Sequence, residues 1–384
     1  MTSTCFGLSS SHDAANNATK LYFAGWTSVV IENANNLIEI CGDSSPEEAD
    51  LVGILAAEVS SPNSSHSQLS HKLYGWESLQ GFLAPGGSVV NLCQHTPPDA
   101  SYCDRPGNAH VHFQNAKDVA ACGLSTDHLT VAIDALTGQL YHWTDLNPIP
   151  QPVFSVSATP LVNNVKFEKI WAGEAHLLAL ASNGTLYSWG SGRHGQLGHG
   201  DLVSESVPKP IESLQGMRII DAACGASFSV ALSEAGDIYS FGLNDHGQLS
   251  IGEQQSSSGI KEGARTQKRN TAYPQLVDFY ESNDEEEGRD VNIVKVACGH
   301  AHTVALDDQG HAWSCGWGKY GQLGQEVPLS DFQCRGSLTS LPGCDVKRAD
   351  RFHFNRIVDH ISGPWHDVMC GLWTTFLWRR EGVM

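Results

Sequence analysis

The chain has 384 residues, long enough for one large or two ordinary domains with a sizeable buried core. Its formal charge of −19, with no long basic tail, sets most of its surface against a phosphate backbone, so direct non-specific nucleic-acid binding is excluded from the expected activities. No run of 18 apolar residues is present to form a membrane span, and residues 1–5, MTSTC, lack the basic region and apolar core of a secretory signal.

The first third of the chain is turn-rich but irregular. Gly25-Trp26 opens a segment that continues through Asn35-Asn36 to Cys41-Gly42, asparagine tolerating the left-handed turn that glycine supplies elsewhere. Residues 43–72 are serine-rich and read as a loop. LYGWESLQGFLAPGGSVVNLC (73–93) repeats the Gly-Trp opening at Gly75-Trp76, and ACGLSTDHLTVAIDALTGQLYHW (121–143) opens at Gly123 with longer turns. From residue 167 the pattern sharpens. FEKIWAGEAHLLALASNGTLYSWGSGRHGQLGHG (167–200), IIDAACGASFSVALSEAGDIYSFGLNDHGQLS (219–250) and IVKVACGHAHTVALDDQGHAWSCGWGKYGQLG (293–324) each hold three short apolar runs separated by glycine. Runs this short, broken where positive φ is needed, predict antiparallel strands joined by hairpins.

An anchor glycine (Gly173, Gly225, Gly299) stands 17 residues before a second one (Gly190, Gly242, Gly316) in each strong copy, as Gly25 stands before Gly42. With Gly371 in MCGLWTTFLWRREG, the anchors Gly25, Gly75, Gly123, Gly173, Gly225, Gly299 and Gly371 are spaced by 50, 48, 50, 52, 74 and 72 residues. That spacing predicts seven repeats in one domain spanning 1–384, divergent in 1–150 and strong in 167–325. The 38 glycines and ten tryptophans suit an all-β chain of this kind. The last repeat runs out before a third strand, and the chain opens on Thr4-Cys5-Phe6-Gly7, the end of a strand with no beginning. Pairing residues 4–7 with the strand around Trp373–Trp378 removes two exposed edges. The two long spacings place polar inserts at 250–272 and 325–353, with a short acidic loop at 281–290; the strand at Pro208 matches the one at Pro274.

The Gly-x-x-His, aromatic-Gly and Gly-Gln-Leu-Gly pattern of the three strong copies resembles the repeat family of the regulator of chromosome condensation. That resemblance implies an all-β, seven-bladed β-propeller, closed by pairing of the N-terminal strand with the last blade. Within the family the chain is similar to a small, tail-less animal branch. The shared features are the divergent N-terminal repeats, the blade SWGSGRHGQLGHG and the long insert together with CGWGKYGQLG. This implies a non-enzymatic scaffold that partners a Jumonji-C-type oxygenase in chromatin regulation and chromosome segregation. Two other family activities are weighed beside it. One is guanine-nucleotide exchange on a small Ran-type GTPase, against which the degenerate N-terminal repeats count. The other is pairing with a small zinc protein in tRNA or translation-factor modification, suggested by the Thr374-Thr375-Phe376 ending.

No catalytic constellation emerges, and no cofactor is expected. His176 and His302 occupy the position three after the anchor, but Phe228 fills it in the repeat between them, which reads as structural. His300 and His302 share a strand face without a third ligand, and the Cys93/Cys103 and Cys334/Cys344 spacings fit no zinc pattern. GSGRHG (190–195) lacks the Gly-Lys-Ser/Thr ending of a phosphate loop. The eleven cysteines show no C-x-x-C, and Cys122, Cys224, Cys298 and Cys370 directly precede an anchor, which predicts reduced, packed thiols in an intracellular protein, nuclear or cytoplasmic. Trp26, Trp76 and Trp373 follow anchors and are expected in blade packing. The partner-binding candidates are the cations of the two large inserts: Lys261, Arg265, Lys268, Arg269, Arg335, Lys347, Arg348 and Arg351. With their neighbouring acids the inserts carry +2, against −21 for the rest of the chain. A locally basic platform on an acidic body steers an acidic partner.

Overall fold

The computed structural model describes residues 2–7, 18–24, 28–33, 38–41, 72–74, 81–83, 87–92, 109–123, 129–144, 151–152, 165–251, 270–279, 291–319, 321–324, 350–357 and 364–379. Apart from a single 3-10 turn at Glu212–Leu214, all regular elements among them are strands. β1 (Thr2–Gly7) comes first in the chain. β2 (Ala18–Ala24), β3 (Ser28–Asn33) and β4 (Ile38–Cys41) form a first sheet. A second holds β5 (Lys72–Tyr74), β6 (Gly81–Leu83), β7 (Val89–Leu92) and β8 (Ala109–Phe113), and a third β9 (Ala116–Cys122), β10 (Leu129–Asp134), β11 (Leu140–Thr144) and β12 (Gln151–Pro152). The fourth consists of β13 (Phe167–Ala172), β14 (His176–Ala181), β15 (Leu186–Gly190) and β16 (Glu205–Pro210). The fifth follows with β17 (Ile219–Cys224), β18 (Phe228–Ser233), β19 (Ile238–Gly242) and β20 (Thr271–Leu276). The sixth is β21 (Ile293–Cys298), β22 (His302–Asp307), β23 (Ala312–Gly316) and β24 (Arg351–Arg356); β25 (Asp367–Cys370) and β26 (Thr374–Arg379) make the last, with β1 as its third strand.

The strands pair antiparallel within each sheet, and in the fourth, fifth and sixth sheets the second strand is buried throughout. HLLALA, FSVALS and HTVALD are buried at all six positions, because both faces of the strand meet a neighbouring sheet. That is why these strands read as unbroken apolar runs rather than alternating ones. The apolar clusters lie between successive sheets. Leu178, Leu180 and Ile211 of the fourth meet Ile219, Ala222 and Phe241 of the fifth. Val230 and Leu232 of the fifth meet Val296, Trp313 and Phe354 around the sixth, and Val304, Leu306 and Ile357 meet Trp365, Val368 and Leu377 of the last. Two of the fourth strands are edges blunted by internal proline, at Pro208 and Pro210 in β16 and Pro274 in β20.

The anchors Gly123, Gly173, Gly225, Gly299 and Gly371 each directly follow a first strand; Gly25, Gly75, Trp26 and Trp76 lie outside the described residues. The anchors are glycine for want of space. A Cβ on Gly173 would stand 2.2 Å from Cε1 of His176 and 2.5 Å from the Gly225 carbonyl oxygen; on Gly299 the same two contacts, with His302 and Gly371, would be 2.1 and 2.4 Å. Gly225 likewise carries the Phe228 ring. The Gly-x-x-His/Phe pattern is thus a ring folded onto a bare Cα.

Strand β1 pairs antiparallel with β26 in the register Thr4↔Leu377, Cys5↔Phe376, Phe6↔Thr375, so the last sheet contains both ends of the described chain. The expected inserts are shorter than 250–272 and 325–353. Ser250 is buried and its Oγ accepts a hydrogen bond from the Phe354 amide at 2.8 Å. Thr271 and Ala272 already belong to β20, and Arg351 to His353 to β24. The fourth strand starts opposite the second glycine in all three strong repeats (Gly190↔Glu205, Gly242↔Thr271, Gly316↔Arg351), earlier than the Pro208/Pro274 match suggested. The rest of both inserts, and the loop 281–290, lie outside the described residues.

Candidate interaction face

A repeated hydrogen-bond pattern joins each strong repeat to the next. The carbonyl of the Gln in each Gly-Gln-Leu motif accepts from the hydroxyl four residues after the following anchor. Ser229 Oγ donates to Gln196 O at 2.8 Å, Thr303 Oγ1 to Gln248 O at 2.8 Å, and Thr375 Oγ1 to Gln322 O at 2.7 Å. The Leu carbonyl is taken by a serine of its own sheet: Ser188, Ser240 and Ser314, at 2.6, 2.6 and 2.7 Å. Backbone bonds continue the series across the anchors, from Gly123 N to Glu174 O, Glu174 N to Ala226 O, Ala226 N to His300 O and His300 N to Leu372 O.

His176 and His302 belong to this network. His176 Nε2 lies 2.9 Å from Ser229 Oγ and His302 Nε2 lies 3.1 Å from Thr375 Oγ1. Each hydroxyl has already given its one proton to a glutamine carbonyl, so the imidazoles donate through Nε2–H and are neutral. Burial pushes both down to about 3, partly offset by the carbonyls of Phe228 and Thr374. Their Nδ1 atoms are buried with no hydrogen-bond partner among the described residues. Neither is placed to collect a proton from a substrate. The thiols are equally inert: Cys122, Cys224, Cys298, Cys315 and Cys370 are free, and burial pushes Cys122 and Cys370 up to about 12 and the others well above their ordinary value. No three His, Cys, Asp or Glu side chains among the described residues come together as a metal site.

Charge alternates at the position four before the anchor: Lys169, Asp221, Lys295, Asp367. Lys169 Nζ lies 3.3 Å from Asp221 Oδ1, Lys295 pairs with Asp367, and Lys117 with Glu168 one sheet earlier. These part-exposed pairs tie neighbouring first strands together.

The loops of the fifth, sixth and last sheets carry a different kind of group. His246 Nδ1 is 2.9 Å from Asp350 Oδ2, and its ring stacks on Trp317 at 5.0 Å between centroids and 16° between planes. Trp317 meets Trp373 edge to face at 4.8 Å, and His300 lies 4.5 Å from Trp373. Trp373 is buried, as packing predicts, while His246, Trp317 and His300 are half-buried. Burial, with His246 close by, holds His300 below its ordinary value. The repeats serve as an internal control. Where the sixth repeat has Trp317, the fourth and fifth have Ser191 and Leu243; where it has His300, they have Glu174 and Ala226; where the last has Trp373, the others have Ala175, Ser227 and Ala301. The fold does not demand these rings.

Of the eight basic candidates only Arg351 is described. It opens β24 opposite Gly316 and is half-buried; Lys261, Arg265, Lys268, Arg269, Arg335, Lys347 and Arg348 lie outside the described residues. The His246–Trp317–His300 grouping was not anticipated from the sequence, although comparing the repeats with one another singles out Trp317 and His300.

The regulator of chromosome condensation (RCC1) repeat matches residues 183–232 and 235–306, and a second description of the same repeat matches 167–196, 219–248 and 293–322. RCC1 domain-containing protein 1 of Mus musculus is 34% identical over 254 residues, covering 60% of this chain and 60% of that protein. Its Homo sapiens counterpart is 35% identical over 246 residues, with 58% of each chain covered. The chain thus matches about three fifths of the length of these relatives. Among solved structures, yeast RCC1 (Prp20) crystallised with Kap60 superposes with a TM-score of 0.65 at 18% identity, covering 98% of this chain and 88% of that one. Prp20p from Saccharomyces cerevisiae, described with its binding properties to Gsp1p and histones, gives 0.62 at 16%, covering 98% and 90%. These likenesses carry the fold. The chain is an all-β protein that shares the repeated-sheet fold of these solved structures, and its segment 167–322 matches the regulator of chromosome condensation repeat.

Proposed function

We propose that the chain is a non-enzymatic protein-interaction propeller, seven-bladed and closed through the β1–β26 pairing, that binds a partner through the loops following its Gly-Gln-Leu motifs. The observation that carries this reading is the contrast between two sets of groups. The histidines and thiols most able to do chemistry are consumed in blade-to-blade bonding or neutralised by burial. The side chains that depart from the repeat stand half-exposed on loops of three adjacent sheets. Propellers of this kind act through loops grafted on a rigid frame. The partner in this reading is a Jumonji-C-type oxygenase, in the setting of chromatin regulation and chromosome segregation, nuclear or cytoplasmic. The basic residues of 250–272 and 325–353 steer its approach.

A second reading, nucleotide exchange on a Ran-type GTPase, is favoured by the likeness to Prp20p, whose structure is described together with binding to Gsp1p. Two measurements separate the readings. Binding of the purified chain to a Jumonji-C oxygenase and to a Ran-type GTPase is compared by interferometry, and release of labelled GDP from the GTPase is followed with and without the chain. Tight oxygenase binding without faster GDP release supports the first reading; acceleration of release by orders of magnitude replaces it with the second. In the first case, replacing Arg265, Lys268, Arg269, Lys347 and Arg348 by glutamate slows association at low salt, and an unchanged association rate removes the inserts from the binding face.

A further inference from the structure

We propose that the His246–Trp317–His300 cluster, seated on Trp373, is the docking point for an acidic segment of the protein partner, one that presents a carboxylate beside an apolar anchor. The inference rests on the interaction reading above and deepens it by assigning a site and a partner chemistry.

Three observations carry it. First, the rings are surplus to the fold, since the same loop positions elsewhere hold serine, alanine, leucine or glutamate. Half-buried tryptophan beside polar rings is the composition of an interface hot spot, not of an ordinary loop. Second, the cluster has hydrogen-bonding capacity in reserve. His246 spends Nδ1 on Asp350, yet its Nε2 and both ring nitrogens of His300 make no hydrogen bond among the described residues. A partner carboxylate can accept a ring N–H of His300, and a second from His246 Nε2 when that ring is protonated, since its Nδ1–H is already given to Asp350. Third, charge favours an acid. Segment 250–272, which begins four residues after His246, and segment 325–353, which contains Asp350, together carry +2 while the remainder of the chain carries −21. The other charges on the adjoining loops are the exposed Asp245 and Lys319, which offset one another, and Arg351 next to Asp350.

The acidic occupant has a signature that mere packing lacks. In the free chain burial, and after it the neighbouring His246, hold His300 below its ordinary value. A carboxylate set against it favours the protonated ring, so binding takes up a proton and tightens as pH falls.

The probes are three fluorescein-labelled dodecapeptides with one central phenylalanine flanked by glutamates, by glutamines or by lysines. Anisotropy titrations use the full chain and the variants Trp317→Leu and His300→Ala, whose new residues are those that the fifth repeat carries at the same positions, Leu243 and Ala226. The glutamate peptide is expected to bind best, to lose about tenfold or more in affinity in either variant, and to bind several-fold tighter at pH 6.0 than at pH 7.5, with thermal unfolding unchanged. Equal binding of the glutamate and glutamine peptides, preference for the lysine peptide, or full affinity in both variants overturns the proposal. If the variants still bind the oxygenase or GTPase as the parent chain does, the interaction reading stands and this site alone is removed.

Discussion

The buried histidines make the propeller acid-sensitive in a way that the chain itself shows how to remove. Phe228 occupies the position of His176 and His302 and leaves Thr303 bonded to Gln248 without help from a ring nitrogen. The double variant His176→Phe, His302→Phe therefore has a native precedent. At pH 7.5 it loses two Nε2–H donations worth about 1 kcal/mol each and gains apolar burial of comparable size, so the unfolding midpoint moves little. Acid reverses the comparison. Each folded-state histidine titrates near 3 and its unfolded counterpart near 6.5. The unfolded chain therefore takes up the proton first. The stabilisation is complete above about pH 6.5 and is lost progressively as pH falls toward 3, at about 1.4 kcal/mol per pH unit per histidine. Between pH 6.5 and 5 the parent chain gives up about 2 kcal/mol per histidine that the variant keeps. Urea titrations at pH 7.5, 6.0 and 5.0 on the parent, single and double variants read this directly. Midpoints that fall with pH by the same amount in all four proteins refute the reasoning.

Gly299→Ala forces a Cβ to within 2.1 Å of the His302 ring and 2.4 Å of the Gly371 carbonyl. It should cost about 3 kcal/mol in urea unfolding, whereas Gly321→Ala, with nothing within 4 Å and a φ of +80°, should cost about 1 kcal/mol; equal costs would show that space is not the reason for the anchor. Deleting residues 1–7 bares the edge of β26 and should lower the thermal midpoint by about 4 °C or more, and an unchanged midpoint would deny β1 any part in stability. Lys295→Asp sets like charges against Asp367 and should cost about 1 kcal/mol at low salt, less at high salt, with recovery in the Lys295→Asp, Asp367→Lys pair; failure of the swap to recover would mean that the charges are not paired across the sheets.

The glycine ruler carried the fold because it records a steric necessity. A ring folded onto Gly173, Gly225 or Gly299 admits no other residue, so the anchor survives where the rest of the repeat drifts. The strand partition of the strong repeats followed for the same reason, as did the match of Pro208 with Pro274. What the sequence concealed is of two kinds. The Gly-Gln-Leu motif read as a loop closing its own unit, but its working atom is the Gln backbone carbonyl, which clasps the next sheet and leaves no side-chain trace. The face cluster joins His246, His300, Trp317, Asp350 and Trp373, residues separated by up to 127 positions and brought together only by sheet stacking. Basic composition was the visible signal in the sequence, and it singled out 250–272 and 325–353, most of which lies outside the described residues.

Regularity and function occupy different atoms of the same repeat. The hydroxyl four residues after the anchor and the glutamine carbonyl bond to one another across sheets, His176 and His302 reach the same hydroxyls, and Gly173 and Gly299 leave no room for a Cβ against the carbonyl of the next anchor, so a change at any of them disturbs two sheets at once. The residue after the anchor bonds to the next sheet through its backbone, as the Ala226 N–His300 O and His300 N–Leu372 O links show, while the residue two after the anchor accepts from the amide of the residue after the second glycine of its own sheet, as in Leu243 N–Ser227 O. Those links are indifferent to what the side chain is. Alanine, glutamate, histidine and leucine all occur at the position of His300, and the belt of backbone bonds runs through each of them. Variation there changes what the face recognises at little cost to the frame, which is why the place to look for this chain's partner is where its repeats disagree.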